Sequence, residues 1–198
     1  MGTATRGDRS APPQRRAATQ EEARALSNPV RLRIIRLCKD DALTNKELAT
    51  RMDLHPGSVL YHVRTLVATG FLCEEPWRPG PRGTTEKPYR STGKSWRLDV
   101  EDSGKSHDVR RAVLDAVASE LDEAGPGAVI ESARMAMRLR PERLERLRAE
   151  LRRLVAQYDL DEPGGEPVAM LMMLHRRATH VAHGKTQARA SIAGRERR

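Results

Sequence analysis

The stretch TNKELATRMDLHPGSVLYHVRTLVATGFL occupies residues 44–72 and has the pattern of two short helices joined by a tight turn. Thr44 and Glu47 form a capping-box sequence, which predicts a helix N-terminus. Pro56 suits the first turn of a second helix, and Gly70 is typical of the position just after a helix. Leu54 supplies an inward apolar residue in the turn between them. The pattern predicts a helix-turn-helix. The side chains of its second helix that are predicted to face the core are Val59, Leu60, Val63, Leu66 and Val67.

The flanking residues extend this unit in both directions. Upstream, a helix is predicted to begin near Glu21, and a second one has Asn28 as its N-cap and ends at Asp40-Asp41. Downstream, residues 71–75 and 87–92 have strand character and enclose a loop rich in Pro, Gly and Arg. A strand, a loop and a strand form a β-hairpin, so residues 21–100 are predicted to be a winged helix-turn-helix.

The remaining sequence predicts a second, smaller domain over residues 106–176. Its pattern indicates helix, strand, helix and strand, at 107–124, 133–140, 141–158 and 168–174. The last of these is apolar at nearly every position, which is typical of a strand buried on both faces. The predicted fold class is therefore α+β, mostly α, with a small C-terminal α/β domain for dimerisation or sensing. Residues 1–20 are predicted to be a disordered basic arm, and residues 177–198 a flexible basic tail.

Charge is distributed unevenly along the chain. The total is +9, from 36 Lys and Arg against 27 Asp and Glu. Residues 1–20, 21–100 and 181–198 carry net charges of +3, +4 and +4, whereas residues 101–180 carry −2. A basic N-terminal domain with basic ends favours a polyanionic partner, and nucleic acid is the first candidate for that partner.

Several other classes of protein and site are disfavoured. Cys38 and Cys73 are too few for a disulfide framework and are expected to be buried, reduced thiols, which suits a cytoplasmic protein. We find neither a secretory signal nor an apolar run long enough to span a bilayer, so no membrane partner is expected.

His175, His180 and His183 have a spacing that could hold a metal, but their polar surroundings argue against a site. We expect no metal and no cofactor.

The predicted recognition helix carries the residues that would meet DNA. The N-terminal part of such a helix lies in the major groove. Its outward positions, which supply hydroxyls, a guanidinium and close backbone approach, are Gly57, Ser58, Tyr61, His62, Arg64 and Thr65. Packing within the domain is an equal alternative for His62.

The wing and the start of the preceding helix add polar and basic candidates. An Arg- and Gly-rich hairpin tip suits the negative potential of the minor groove, although an ordinary solvated loop is the alternative. The candidates in these two elements are Thr44, Asn45, Lys46, Arg78, Arg82, Thr84, Thr85, Lys87 and Arg90.

Three segments together resemble ArsR-like winged-helix regulators. Residues 25–35 (ALSNPVRLRII) are similar to that family's opening, residues 58–72 to its recognition helix, and residues 82–90 (RGTTEKPYR) to its wing motif. The resemblance implies a homodimer that binds palindromic operator DNA and usually represses, with a ligand or metal able to modulate binding. The paired cysteines of the family's metal sensors do not occur in the matching helix here.

The second domain offers fewer functional signals. Val109, Val113, Val117 and Leu121 share one helix face and are candidates for dimerisation. Met135, Met137, Met170 and Met172 are candidates for the pocket of a small hydrophobic effector, or simply fill a core poor in aromatics. No nucleophile–base pairing, phosphate loop or convergent carboxylates suggest an enzyme. The sequence therefore predicts a sequence-specific transcriptional repressor that binds double-stranded DNA as a homodimer, with an architectural nucleic-acid-binding protein as the alternative.

Overall fold

A computed structural model describes residues 15–158 and 164–177 of the chain. The chain divides into two compact units, residues 1–165 and 166–198, and each is described by itself. The first unit is α+β and mostly α, as predicted, and it contains all the helices and strands given below. The described part of the second unit, residues 166–177, has no regular secondary structure.

Three helices precede the second helix of the helix-turn-helix. The chain forms β1 (Arg16–Ala17), α1 (Gln20–Leu26) and α2 (Pro29–Asp40), then β2 (Leu43–Thr44) and α3 (Asn45–Met52). The Asn28 side chain accepts a hydrogen bond from the Arg31 amide at 3.1 Å, which confirms the predicted cap of α2. The arm predicted to be disordered to residue 20 is ordered from β1 onward, because β1 pairs in parallel with Leu98–Asp99.

The helix-turn-helix is completed by α4 (Pro56–Ala68). Between α3 and α4, Asp53 takes a left-handed conformation (φ 51°), and its amide donates to the Ala49 and Thr50 carbonyls. Leu54 packs against the core, as predicted for the turn. Gly70 also has a positive φ of 72°, which explains why glycine suits the end of α4.

The wing is a hairpin with a smaller hairpin at its end. The longer strands are β3 (Leu72–Glu74) and β6 (Pro88–Ser91), which pair antiparallel, with β2 on the other side of β6. Between them, β4 (Arg78–Pro79) and β5 (Thr85–Glu86) pair antiparallel around a 3-10 turn. We call residues 78–86 the distal hairpin. The predicted strand–loop–strand pattern is thus confirmed, and the loop itself is structured.

After β7 (Leu98–Asp99), the chain forms α5 (Ser106–Ala124) and α6 (Pro141–Gln157). Helix α5 packs on α1 and α2, and Val109 belongs to the same core cluster as Ile34, Val63 and Phe71. Helix α6 has no buried residue. The first helix of the predicted second domain therefore shares the core of the winged helix-turn-helix.

Three further predictions from the sequence are wrong. The strands expected at 133–140 and 168–174 are irregular and exposed, because no neighbouring strand pairs with either within the described residues. Cys73 is exposed rather than buried, since its position in β3 points away from the core, whereas Cys38 is buried as expected. Burial raises the pKa of the Cys38 thiol to about 11, which keeps it protonated and unreactive.

Candidate nucleic-acid interface

Helix α4 has one buried and one exposed side. His55 caps the helix by accepting a hydrogen bond from the Gly57 amide at 3.1 Å, and Pro56 follows at the first position. Val59, Val63 and Leu66 are fully buried and anchor the helix to the core. This arrangement leaves the opposite side of α4 open to solvent, where a nucleic acid could lie against it.

Four of the predicted recognition residues lie on that exposed side. Gly57, Ser58 and Arg64 are exposed, and the Tyr61 side chain is 65% exposed. Within the described residues, no hydrogen bond or ion pair engages the Arg64 guanidinium or the Ser58 hydroxyl. Both groups therefore retain their full capacity to bind base edges or phosphates.

The other two recognition candidates are partly committed to the protein. His62 is half-buried, and its ring lies edge-on to Tyr61 with centroids 5.4 Å apart. Its pKa is lowered, first by burial and then by the positive charge of Arg31, so the neutral form is favoured. The Thr65 hydroxyl donates to the Tyr61 carbonyl at 3.0 Å. These contacts support the packing alternative for His62.

Two of the three candidate residues at the start of α3 make contacts within the protein. Thr44 is buried, and its hydroxyl accepts from the Glu47 amide at 3.2 Å, so it does not reach the surface as a DNA contact. The Asn45 amide nitrogen donates to the Pro56 carbonyl at 3.0 Å, which links the first turns of α3 and α4. Lys46 is exposed and stays a candidate for phosphate binding.

Most of the described wing cations are paired with acids. Arg78 donates to Glu47, Lys87 to Glu74 at 2.7 Å, and Arg90 to Glu75 at 3.1 Å. Thr84 and Thr85 are exposed, although the Thr84 hydroxyl donates to the Pro81 carbonyl. The Arg82 side chain lies outside the described part. The wing is therefore less available as a set of free positive charges than the sequence suggests.

Trp77 is an exposed aromatic residue that the sequence analysis did not select. Its side chain is 61% exposed, and the Lys87 ammonium lies 4.9 Å from its ring centroid. An exposed aromatic ring can stack on nucleic-acid bases. The signal that could have identified it is a tryptophan within a basic, Pro- and Gly-rich loop.

A second group missed by the sequence analysis surrounds Glu22. This carboxylate is buried and pairs with Arg16 and Lys94, each at 2.6 Å. Lys94 also donates to the Thr69 carbonyl, just after α4, at 2.6 Å. The cluster thus joins α1 to the end of α4. The capping-box spacing of Thr19 and Glu22 is a local signal for the carboxylate, but nothing local marks its pairing with Lys94.

The four candidate dimerisation residues differ in exposure. Val109 is buried in the intrachain core, and Val113 is partly buried against the same core, because α5 packs on α1 and α2. Val117 is partly buried, whereas Leu121 is 44% exposed. Leu26, at the end of α1, is also buried. Val109 and Leu26 are consequently unavailable to a partner unless the core opens.

The methionine and histidine candidates do not converge on a site within either described unit. Met135, Met137, Met170 and Met172 are all exposed, so they fill no core and line no enclosed pocket within their own units. His175 is exposed, and His180 and His183 lie outside the described residues. No three His, Cys, Asp or Glu side chains of the described residues converge as metal ligands. Among the helices of residues 15–158 and 164–177, none combines the length and hydropathy that a bilayer-spanning helix requires.

Comparison with known proteins agrees with the geometry of α4. Residues 26–73 match the family model of a helix-turn-helix domain, a match that runs from the end of α1 through α4 into β3. No curated protein sequence gives a significant match to the chain. The family match and the exposed side of α4 together identify residues 26–73 as a helix-turn-helix domain of the kind through which transcription regulators bind DNA.

Proposed function

We propose that this protein is a sequence-specific transcriptional repressor that binds a palindromic operator as a homodimer. The observation that carries the proposal is the exposed side of α4, where Ser58, Tyr61 and Arg64 face solvent while Val59 and Val63 hold the helix to the core. Base-edge recognition requires such free donors on a rigidly held helix. The β3–β6 hairpin supports an ArsR-like winged-helix assignment.

The dimer part of the proposal concerns the spacing of two recognition helices. A two-fold pair would place two α4 helices about one turn of DNA apart, ~34 Å. Leu121 and the exposed edge of α5 are the surface we propose for pairing, since Val109 is already buried. The Met-lined effector pocket stays a prediction without structural support, because its four residues are exposed.

Selection of random duplex DNA at near-physiological salt tests the proposal. We expect an enriched palindrome with half-sites about one helical turn apart, and a protein that is dimeric by light scattering. DNA binding without any enriched sequence would instead favour an architectural protein that binds through charge alone.

Arg64→Ala provides the residue-level test of sequence reading. We expect a loss of about 1–3 kcal/mol in binding free energy and relaxed preference at one base pair of each half-site. Arg143→Ala is the matched control, because Arg143 is an exposed cation on α6. If the Arg64 variant keeps both its affinity and its preference, Arg64 takes no part in reading the sequence.

A further inference from the structure

We propose that Glu47 and Arg78 form a clamp that fixes the distal hairpin of the wing on α3, and that Arg78 is a positioning residue rather than a phosphate ligand. Arg78 Nη2 donates to both carboxylate oxygens of Glu47, each at 2.6 Å. Arg78 Nη1 also reaches the Ala42 carbonyl at 3.4 Å. These contacts join the wing to the first helix of the helix-turn-helix across 31 residues of sequence.

On the helix side, Glu47 is held independently of Arg78. Its Oε2 accepts a hydrogen bond from the Thr44 amide at 2.7 Å, and its own amide donates to the Thr44 hydroxyl at 3.2 Å. This reciprocal capping box orients the carboxylate at the first turn of α3. Burial raises the pKa of Glu47, but the hydrogen bonds from Thr44 and the Arg78 charge outweigh it, so the group stays ionised. Arg78 therefore meets a preoriented anion.

On the wing side, Arg78 lies at the base of a tight hairpin. It is opposite Glu86 in the β4–β5 ladder, and the Gly80 amide donates to the Thr84 carbonyl at 2.7 Å. A Cβ atom at Gly80 would lie 2.6 Å from Cγ of Glu86, so the turn accommodates glycine alone without a shift. Because the hairpin is internally constrained, anchoring Arg78 orients residues 78–86 together.

The other wing ion pairs do not perform this task. Lys87–Glu74 connects residues of the wing to each other. Arg90 pairs with Glu75 and reaches the Asp40 carbonyl at 3.3 Å, which ties the root of the wing to the end of α2. A shallow cleft separates the distal hairpin from α3, and the Glu47–Arg78 pair bridges it; its lining is Lys46, Glu47, Thr50, Arg51, Arg78, Pro79, Pro81 and Glu86.

The exposure of the pair indicates where its effect will appear. Both side chains are 41% exposed, and ion pairs this accessible to water contribute little to global stability. Orientation of the wing relative to α4 matters instead when both elements contact one duplex. The proposal thus rests on the proposed DNA-binding function, and it predicts a defect in binding geometry with a nearly unchanged unfolding transition.

Glu47→Gln separates positioning from phosphate contact. Glutamine preserves a capping box, so α3 keeps its N-terminus. The variant also removes a negative charge and frees Arg78, and both changes would strengthen DNA binding if Arg78 only contacted phosphate. With the clamp, we expect binding to the selected operator to weaken roughly five-fold, with similar losses for Arg78→Gln and for the double variant. Equal or tighter operator binding by Glu47→Gln would overturn the proposal.

Hydrogen exchange of the free protein tests the clamp without DNA. We expect faster amide exchange over residues 78–86 in both single variants, while exchange in α3 stays unchanged. Glu74→Gln is the matched control, because it breaks the Lys87–Glu74 ion pair within the wing and leaves the Glu47–Arg78 pair intact. Unchanged exchange over residues 78–86 in folded Glu47→Gln and Arg78→Gln would refute the clamp. If the variants exchange faster over residues 78–86 but the wild-type protein selects no operator, the clamp is supported while the proposed function is contradicted.

Discussion

At the scale of single residues, the buried carboxylate of Glu22 joins α1 to the end of α4 through Lys94. Its oxygens accept from Arg16, Lys94 and the Thr19 amide. The hydrogen bond from Arg16 lowers its pKa most, burial opposes this, and Lys94 and Thr19 lower it further, so the pKa lies well below the ordinary range. Lys94 in turn lies 5.2 Å from the Phe71 ring centroid and bonds the Thr69 carbonyl.

Glu22→Gln should destabilise the protein by about 3 kcal/mol, because it leaves Lys94 without its buried counter-charge. Urea denaturation at pH 7 measures the loss. Glu21→Gln is the control, since Glu21 is the exposed neighbour in the same first turn and should cost only a few tenths of a kcal/mol. Equal stability of the two variants would show that the cluster contributes nothing net.

The same pair of proteins carries a pH prediction. Since the pKa of Glu22 is depressed in the folded state, its contribution is fully present above the unfolded value of about 4.3 and is lost as pH falls below it. We therefore expect the stability difference between wild type and Glu22→Gln to be constant from pH 6 to pH 7 and to shrink below pH 4. Denaturation curves of both proteins across this pH range, at constant ionic strength, measure the difference. A stability difference that does not shrink below pH 4 would contradict the prediction.

At the scale of elements, two helices of the first unit begin in the same way. Thr19 with Glu22 starts α1, and Thr44 with Glu47 starts α3, each with both reciprocal hydrogen bonds of a capping box. In both boxes the glutamate also pairs with a cation far along the chain, Lys94 for Glu22 and Arg78 for Glu47, which couples a local helix signal to tertiary structure. The cap thus holds the carboxylate that the tertiary ion pair requires.

Thr44→Ala should destabilise the protein by about 1 kcal/mol through loss of the α3 cap. Thermal unfolding measures the change, and Thr50→Ala is the control on the same helix. Thr50 is exposed in the interior of α3, where alanine has the higher helix propensity, so this variant should be neutral or slightly more stable. If Thr44→Ala does not change the unfolding transition, the stability of α3 comes from its buried side chains, Leu48 and Met52, rather than from the cap.

At the scale of the whole molecule, α5 belongs to the helical core while α6 contributes nothing buried to it. Val109, Ala112 and Ala116 are buried on α5. The division proposed from sequence, with one domain ending near residue 100 and the next beginning at 106, therefore cuts between elements that share a core. Whether residues 106–176 behave as a domain is a question of folding cooperativity.

Truncation answers that question. A chain that ends after residue 127 keeps α5 and should unfold cooperatively with nearly the full stability of the helical core. A chain that ends after residue 104 loses the apolar area buried by α5 and should be less stable by roughly 3 kcal/mol or more. Matching unfolding curves for the two chains would instead establish α5 as part of a separate domain.

Local signals in the sequence determined where α2, α3 and α4 lie and which side of α4 is exposed. The Asn28 and Thr44 caps, Pro56 and Gly70 act through residues within one or two turns, so α2, α3 and α4 lie where they were predicted. Apolar periodicity similarly identified the buried side of α4, and with it the exposure of Ser58 and Arg64.

Tertiary structure alone decided which charges are free and which strands form. The sequence shows Arg78 as one wing cation among several, but its pairing with Glu47 arises only when the wing folds against α3. Segments 133–140 and 168–174 have strand patterns but no strand partner in the described residues. A strand without a partner leaves its backbone hydrogen bonds unmade. Helix caps depend on neighbours in sequence, whereas ion pairs and sheets depend on neighbours in space.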